Sequence, residues 1–157
     1  MVNKTSELIK LEWAVLCENS LIDGDSQNLT LVNLIERLKF EGERVDKTKD
    51  FNSSEGELLP MRMTLVTRIR RLVEANQKLE FDITYDFIDP EKKKLGNVET
   101  TFNMDPGILN FRMRFGVEGL KLTKSGMYWF IIKAKQKDEK SYTKLGEVPL
   151  EIELSIK

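Results

Sequence analysis

Apolar and polar residues alternate with a period of two along most of this chain. The clearest case is Leu79-Glu80-Phe81-Asp82-Ile83-Thr84-Tyr85-Asp86-Phe87. Leu79, Phe81, Ile83, Tyr85 and Phe87 share one face and the polar residues the other, the pattern of a strand with one dry and one wet side. Asp89-Pro90-Glu91 then turns the chain, because proline has no N–H to give to a ladder. The same alternation predicts a strand at Leu8–Glu18, with Ile9, Leu11, Trp13, Val15 and Cys17 on one face. At Met61–Arg71 it points Met61, Met63, Leu65, Thr67 and Ile69 inward and Arg62, Thr64, Val66, Arg68 and Arg70 outward. Gly96–Met104 carries Val98, Thr100, Phe102 and Met104 on one side. Leu109–Val117 turns Leu109, Phe111, Met113 and Phe115 inward, and Asn110, Arg112 and Arg114 outward. Met127–Lys135 and Val148–Ile156 complete the set. Leu29–Leu38 is apolar on both faces, as a central strand would be, and a helix through Leu31, Leu34, Ile35 and Leu38 fits it too. The Asp23-Gly24-Asp25 hairpin signal before it favours the strand.

About eight strands separated by turn signals predict an all-β fold, an antiparallel sandwich of about seven to nine strands forming a single domain over residues 1–157. One stretch breaks the rhythm. Glu41–Leu59 is long, polar and aperiodic, the length at which a loop is either a functional element or a tolerated, disordered insertion.

Leu122-Thr123-Lys124-Ser125-Gly126-Met127-Tyr128 runs into a strand containing Phe130 and Ile132. It resembles the tyrosine corner of immunoglobulin-like sandwiches, in which glycine permits the tight approach and the tyrosine hydroxyl bonds back to the backbone. The wider pattern resembles an uncharacterised prokaryotic family of small immunoglobulin-like β-sandwich proteins of unknown function. Four segments carry that resemblance: Trp13–Cys17 with the Asp23-Gly24-Asp25 turn, Leu29–Ile35, Phe81–Gly96, and Gly126–Ile132 with Gly146–Leu150. The resemblance implies a fold and no site residues. The stretch between Phe40 and Pro60 departs from it.

Composition narrows the function. Lys+Arg 25 against Asp+Glu 26 gives a net charge of −1, which argues against a nucleic-acid binder or a polybasic membrane-surface protein. There is no histidine, which removes Ser-His-Asp and Cys-His catalysis and imidazole-ligated zinc. The single cysteine, Cys17, has no base to activate it and reads as a core residue. The N-terminus carries no apolar leader and no segment is long and apolar enough to span a bilayer, so a cytoplasmic location is expected. Phosphate-binding glycine motifs are absent. Asp23-Gly24-Asp25 fails the spacing of a calcium loop and reads as a turn; a weak Ca²⁺ site would draw on Asp23, Asp25, Asp86 and Asp89.

One surface is left. Arg68, Arg70, Arg112 and Arg114 stand on the outward faces of two predicted strands, and Trp129 and Ile131 on the outward side of the strand after the corner. Tryptophan beside arginine is the composition of a protein-binding hot spot. Two readings compete with it: arginines that merely pair with the many acids, and a Trp129 that belongs to the core. The expectation is a non-enzymatic protein-binding or assembly module with no cofactor and another protein as its partner. Homo-oligomerisation through edge strands is open to such a fold. The alternative is a small-ligand or carbohydrate-binding sandwich, with or without Ca²⁺.

Overall fold

Nine strands and one helical turn appear in the computed structural model, which describes residues 4–42 and 57–156. In chain order they are α1 (Thr5–Leu8), β1 (Ile9–Ile22), β2 (Leu29–Leu34), β3 (Arg37–Gly42), β4 (Glu57–Arg71), β5 (Leu79–Ile88), β6 (Lys94–Met104), β7 (Asn110–Leu122), β8 (Gly126–Gln136) and β9 (Thr143–Ile156). They form two sheets, one ordered β2-β1-β4-β7 and the other β3-β9-β8-β5-β6. The fold is an immunoglobulin-like β-sandwich. One pair, β3 with β9, is parallel; the other pairs are antiparallel.

The core lies between the sheets. Met63, Leu65 and Ile69 of β4 meet Phe81 and Ile83 of β5 and Tyr128, Phe130 and Ile132 of β8, all buried. Burying each such side chain contributes about 1.5–3 kcal/mol. Aromatic pairs bridge the layers on the β6–β7 side: Phe102 stacks on Phe111 at 4.9 Å between ring centres, and Tyr85 on Phe115 at 5.5 Å.

The tyrosine corner is built as its sequence requires. The Tyr128 hydroxyl donates to Lys124 O at 2.7 Å and accepts from the Thr123 and Lys124 N–H groups at 3.1 and 3.2 Å. Tyr128→Phe strands all three backbone groups while keeping the ring. It is expected to cost about 1–3 kcal/mol, read as a lower urea midpoint at unchanged m-value.

The structure corrects four expectations. Residues 29–38 form neither a helix nor a central strand. They divide between β2, at the edge of one sheet, and β3, at the edge of the other. The ladder is interrupted at Asn33, a residue type that tolerates its φ of 51°; the chain leaves the first sheet after Leu34 and Ile35, and Arg37 pairs with Glu151 in the second. Strand β1 does not keep one apolar face. A bulge between Leu11 and Trp13 inserts Glu12, so Ile9 and Leu11 point inward, as do Ala14 and Leu16, whereas Trp13, Val15 and Cys17 face outward. Leu109 precedes β7 and is 56% exposed. The outward side of β5 is not uniformly wet, because Thr84 and Asp86 are buried on it. Of the segment 41–59, residues 41–42 belong to β3 and 57–59 to β4, and 43–56 lie outside the described residues.

Candidate interaction surfaces

The arginines and the tryptophan expected to form one patch lie on opposite faces of the sandwich. Arg68 and Arg70 of β4 and Arg112 and Arg114 of β7 project from the outer face of the four-stranded sheet. Trp129 and Ile131 belong to β8 in the five-stranded sheet. A strand's outward residues can share a face only with strands of its own sheet, and the periodicity does not say which strands share one.

On the first face the arginines are occupied. Arg68 Nε lies 2.9 Å from Glu12 Oε2 and Arg70 Nη1 3.3 Å from Glu12 Oε1, so the bulged residue of β1 serves both. That relieves Arg68, which sits directly opposite Arg112 in the β4–β7 ladder. Arg112 Nη2 donates to Gln27 O at 2.6 Å and Arg114 Nη1 to Ser20 O at 3.1 Å. Both acceptors belong to the β1–β2 hairpin, so these two side chains reach back across β4 to hold it. Beneath this arrangement Val66 and Cys17 are fully buried on the outward side. The Cys17 thiol is directed at Thr64 O, 3.6 Å away, and burial pushes its pKa up. Cys17 is therefore a packed residue, as expected, on a face that was not. The tryptophan that does neighbour an arginine is Trp13, opposite Arg68; the bulge that puts it there has no clear mark in the sequence.

The second face is different. Trp129 lies between Ile88 of β5 and Pro149 of β9 in the ladder, and Ile131 lies between Asp86 and Glu147. Ile88, Trp129 and Ile131 floor an open depression of about 380 Å³ whose walls are Lys92, Lys144 and Glu147. The Lys92 ammonium stands 5.5 Å from the Trp129 ring centre, and the backbone that presents it has a φ of 70° in the turn after Asp89. That turn is shaped by the Asp89 carboxylate, which accepts the N–H groups of Glu91 at 2.9 Å and Lys93 at 2.7 Å.

Next to the depression Asp86 is only 2% exposed. Lys133 Nζ is 2.6 Å and Lys94 Nζ 3.0 Å from its two oxygens, and Thr84 donates a hydrogen bond at 3.3 Å. Burial pushes the carboxyl upward, but the lysine hydrogen bonds and charges outweigh it and hold the group below the ordinary carboxylate range. Lys144 pairs with Glu147. The floor is thus bordered by Lys92, Lys94, Lys133 and Lys144 against Asp86 and Glu147, an excess of positive charge.

The four carboxylates considered for calcium are not brought together. Asp23 and Asp25 stand in the β1–β2 turn, where Asp23 Oδ1 accepts three local donors from Asp25 and Ser26 that lower its pKa. Asp86 is in the other sheet and Asp89 in the turn that follows β5, with the partners given above. No cluster of three or more metal-ligating side chains occurs among the described residues. No helix among them is long and apolar enough to cross a membrane.

No family model matches the chain, and no curated protein matches it. Among solved structures it is similar to an immunoglobulin-like protein from Pseudomonas aeruginosa, at 10% identity over 92% of this chain and 95% of that one, with a TM-score of 0.38. It is also similar to a family 123 glycoside hydrolase from Clostridium perfringens, at 8% identity over 91% of this chain and 27% of that one, with a TM-score of 0.38.

Proposed function

We propose that this domain is a non-enzymatic protein-binding module, belonging to an uncharacterised prokaryotic family of such sandwiches and working in the cytoplasm. One observation carries the binding reading. An apolar floor of Trp129, Ile131 and Ile88 stays open on a face whose other charged groups are largely paired. Tryptophan in a depression with a polar rim is the usual anchor of an interface. Lys92, which stands over the indole, and the net positive border favour a partner that inserts an apolar side chain beside a carboxylate.

The test is affinity capture from the source organism's lysate with the wild-type domain and with Trp129→Ser side by side. Trp129 is half-buried on the outer face, away from the core, so the variant is expected to fold normally by circular dichroism. A stoichiometric partner retained by the wild type should be lost, at a cost of about 2–4 kcal/mol in affinity. A partner held equally by both proteins would overturn the assignment of this face.

A second reading, binding of a sugar or other small ligand in the same depression, rests on the same open indole. A ligand present at 100 times its Kd would raise stability by about 2.7 kcal/mol. A thermal-shift panel of sugars with no response removes that reading. Among the described residues no carboxylates are gathered to support calcium.

A further inference from the structure

We propose that β2 pairs antiparallel with β2 of a second copy of this chain, joining two four-stranded sheets edge to edge. Among the described residues the two sheets end in four edge strands: β2, β7, β3 and β6. An edge strand exposes unpaired N–H and C=O groups, and proteins that stay monomeric protect such edges with charge. Three of the four are protected in this way. Strand β3 carries Arg37, Lys39 and Glu41; β6 carries Lys94 and Glu99; β7 carries Arg112, Arg114, Glu118 and Lys121. Strand β2 reads Leu29-Thr30-Leu31-Val32-Asn33-Leu34 and carries no charge, in a chain that is 32% charged.

Its side chains point the same way. Four of the six are large and apolar, they lie on both faces, and not one is buried. Strand β1 adds Leu21 and Ile22 at the same end of the hairpin, 55% and 37% exposed, and Leu34 is 57% exposed. The backbone agrees as well. Asp23 N–H bonds to Asn28 O at 2.9 Å, and from that end the alternation of an antiparallel ladder turns the N–H and C=O groups of Leu29 and Leu31 away from β1.

A second copy is the occupant these features fit. Pairing about Leu31 sets Leu31 opposite Leu31 at the centre, with Thr30 opposite Val32 and Leu29 opposite Asn33 on either side and no charge opposed. The two-fold also brings the acidic turn of one hairpin, Asp23 and Asp25, toward the end of the other where Arg37 and Lys39 begin β3. A parallel arrangement would set four carboxylates side by side. A six-residue strand offers a strip about 20 Å long, below a standard interface, so the dimer is weak and shows at high concentration.

Sedimentation velocity across about 5 to 500 µM, a range that brackets weak association, tests this. The wild type is expected to pass from one chain to two as concentration rises. Val32→Lys, which touches no core residue, should stay monomeric throughout with an unchanged circular dichroism spectrum. Thr30→Lys repeats the measurement should Val32→Lys misfold. Trp129→Ser should dimerise as the wild type does, which separates this contact from the Trp129 face. A wild type that remains monomeric over the whole range, or lysine variants that dimerise normally, would overturn the proposal.

Discussion

The double variant Lys94→Met/Lys133→Met is expected to lose about 3–5 kcal/mol of stability at neutral pH, the cost of leaving a buried charge without its partners. The Asp86 carboxylate is 2% exposed and lies within 3.0 Å of both ammonium groups. Methionine keeps the length and apolar stem of each lysine, so the loss isolates the charge. The lysines themselves are partly exposed and can return to water, which makes the acid the costly member of the cluster. Adding Asp86→Leu should therefore recover most of the loss, because an apolar replacement removes the unmatched charge together with its desolvation penalty.

The pH dependence has a definite sign. Asp86 is held below its ordinary pKa in the folded protein. The stability it contributes is complete above the unfolded carboxylate value of about 4 and falls away as pH drops through the lower folded value. Urea midpoints of the wild type and the double variant should thus converge on acidification below about pH 4, where protonation removes the paired charge from one and the unmatched charge from the other. A double variant as stable as the wild type at pH 7 would mean that water already solvates Asp86.

Gly126→Ala should be nearly as damaging, at about 2–4 kcal/mol, combining backbone strain with overpacking. Gly126 has a φ of 144°, which L side chains rarely adopt, and an added Cβ would sit 2.8 Å from Pro90 Cγ. Pro90 is in the turn that presents Lys92 to Trp129, so the clash falls between the start of β8 and the wall of the depression. Gly146→Ala is a useful contrast. Its Cβ would meet the Leu11 Cδ2 methyl at 2.5 Å, the movable end of a side chain at a φ that any residue tolerates. Thermal unfolding of the pair should show the larger drop for Gly126→Ala. Equal drops would indicate that the corner relaxes freely.

Much of this fold was legible because burial writes a period of two into the chain. Strands β4, β5 and β8 have the inward sets that their alternation predicted, and the corner motif announced its own hydrogen bonds. The failures have local causes. Glu12 enters β1 as a bulge, and a single added residue inverts every side chain beyond it. Leu29–Leu38 looked central because both faces are apolar, yet apolarity does not separate a strand covered by the sandwich from one left at its edge. Asp86 looked wet because its cover, Lys94 and Lys133, comes from neighbouring strands. The candidate surface was half legible for the same reason. Trp129 and Ile131 were on the expected side of β8, but sheet membership is non-local and assigned the arginines to the opposite face. Ile88, Lys92, Lys144 and Glu147 carried no signal that would link them to Trp129 before the sheets were formed.

Amide hydrogen exchange of the domain, free and bound to its captured partner, is the most direct test of where it binds. Slowed exchange is expected around the depression on the five-stranded sheet: the turn after Asp89, the outward positions near Trp129 and Ile131, and the stretch from Lys144 to Glu147. The outer face of β4 and β7 should exchange as in the free domain. Protection confined to that arginine face, with the Trp129 region unchanged, would contradict the assignment.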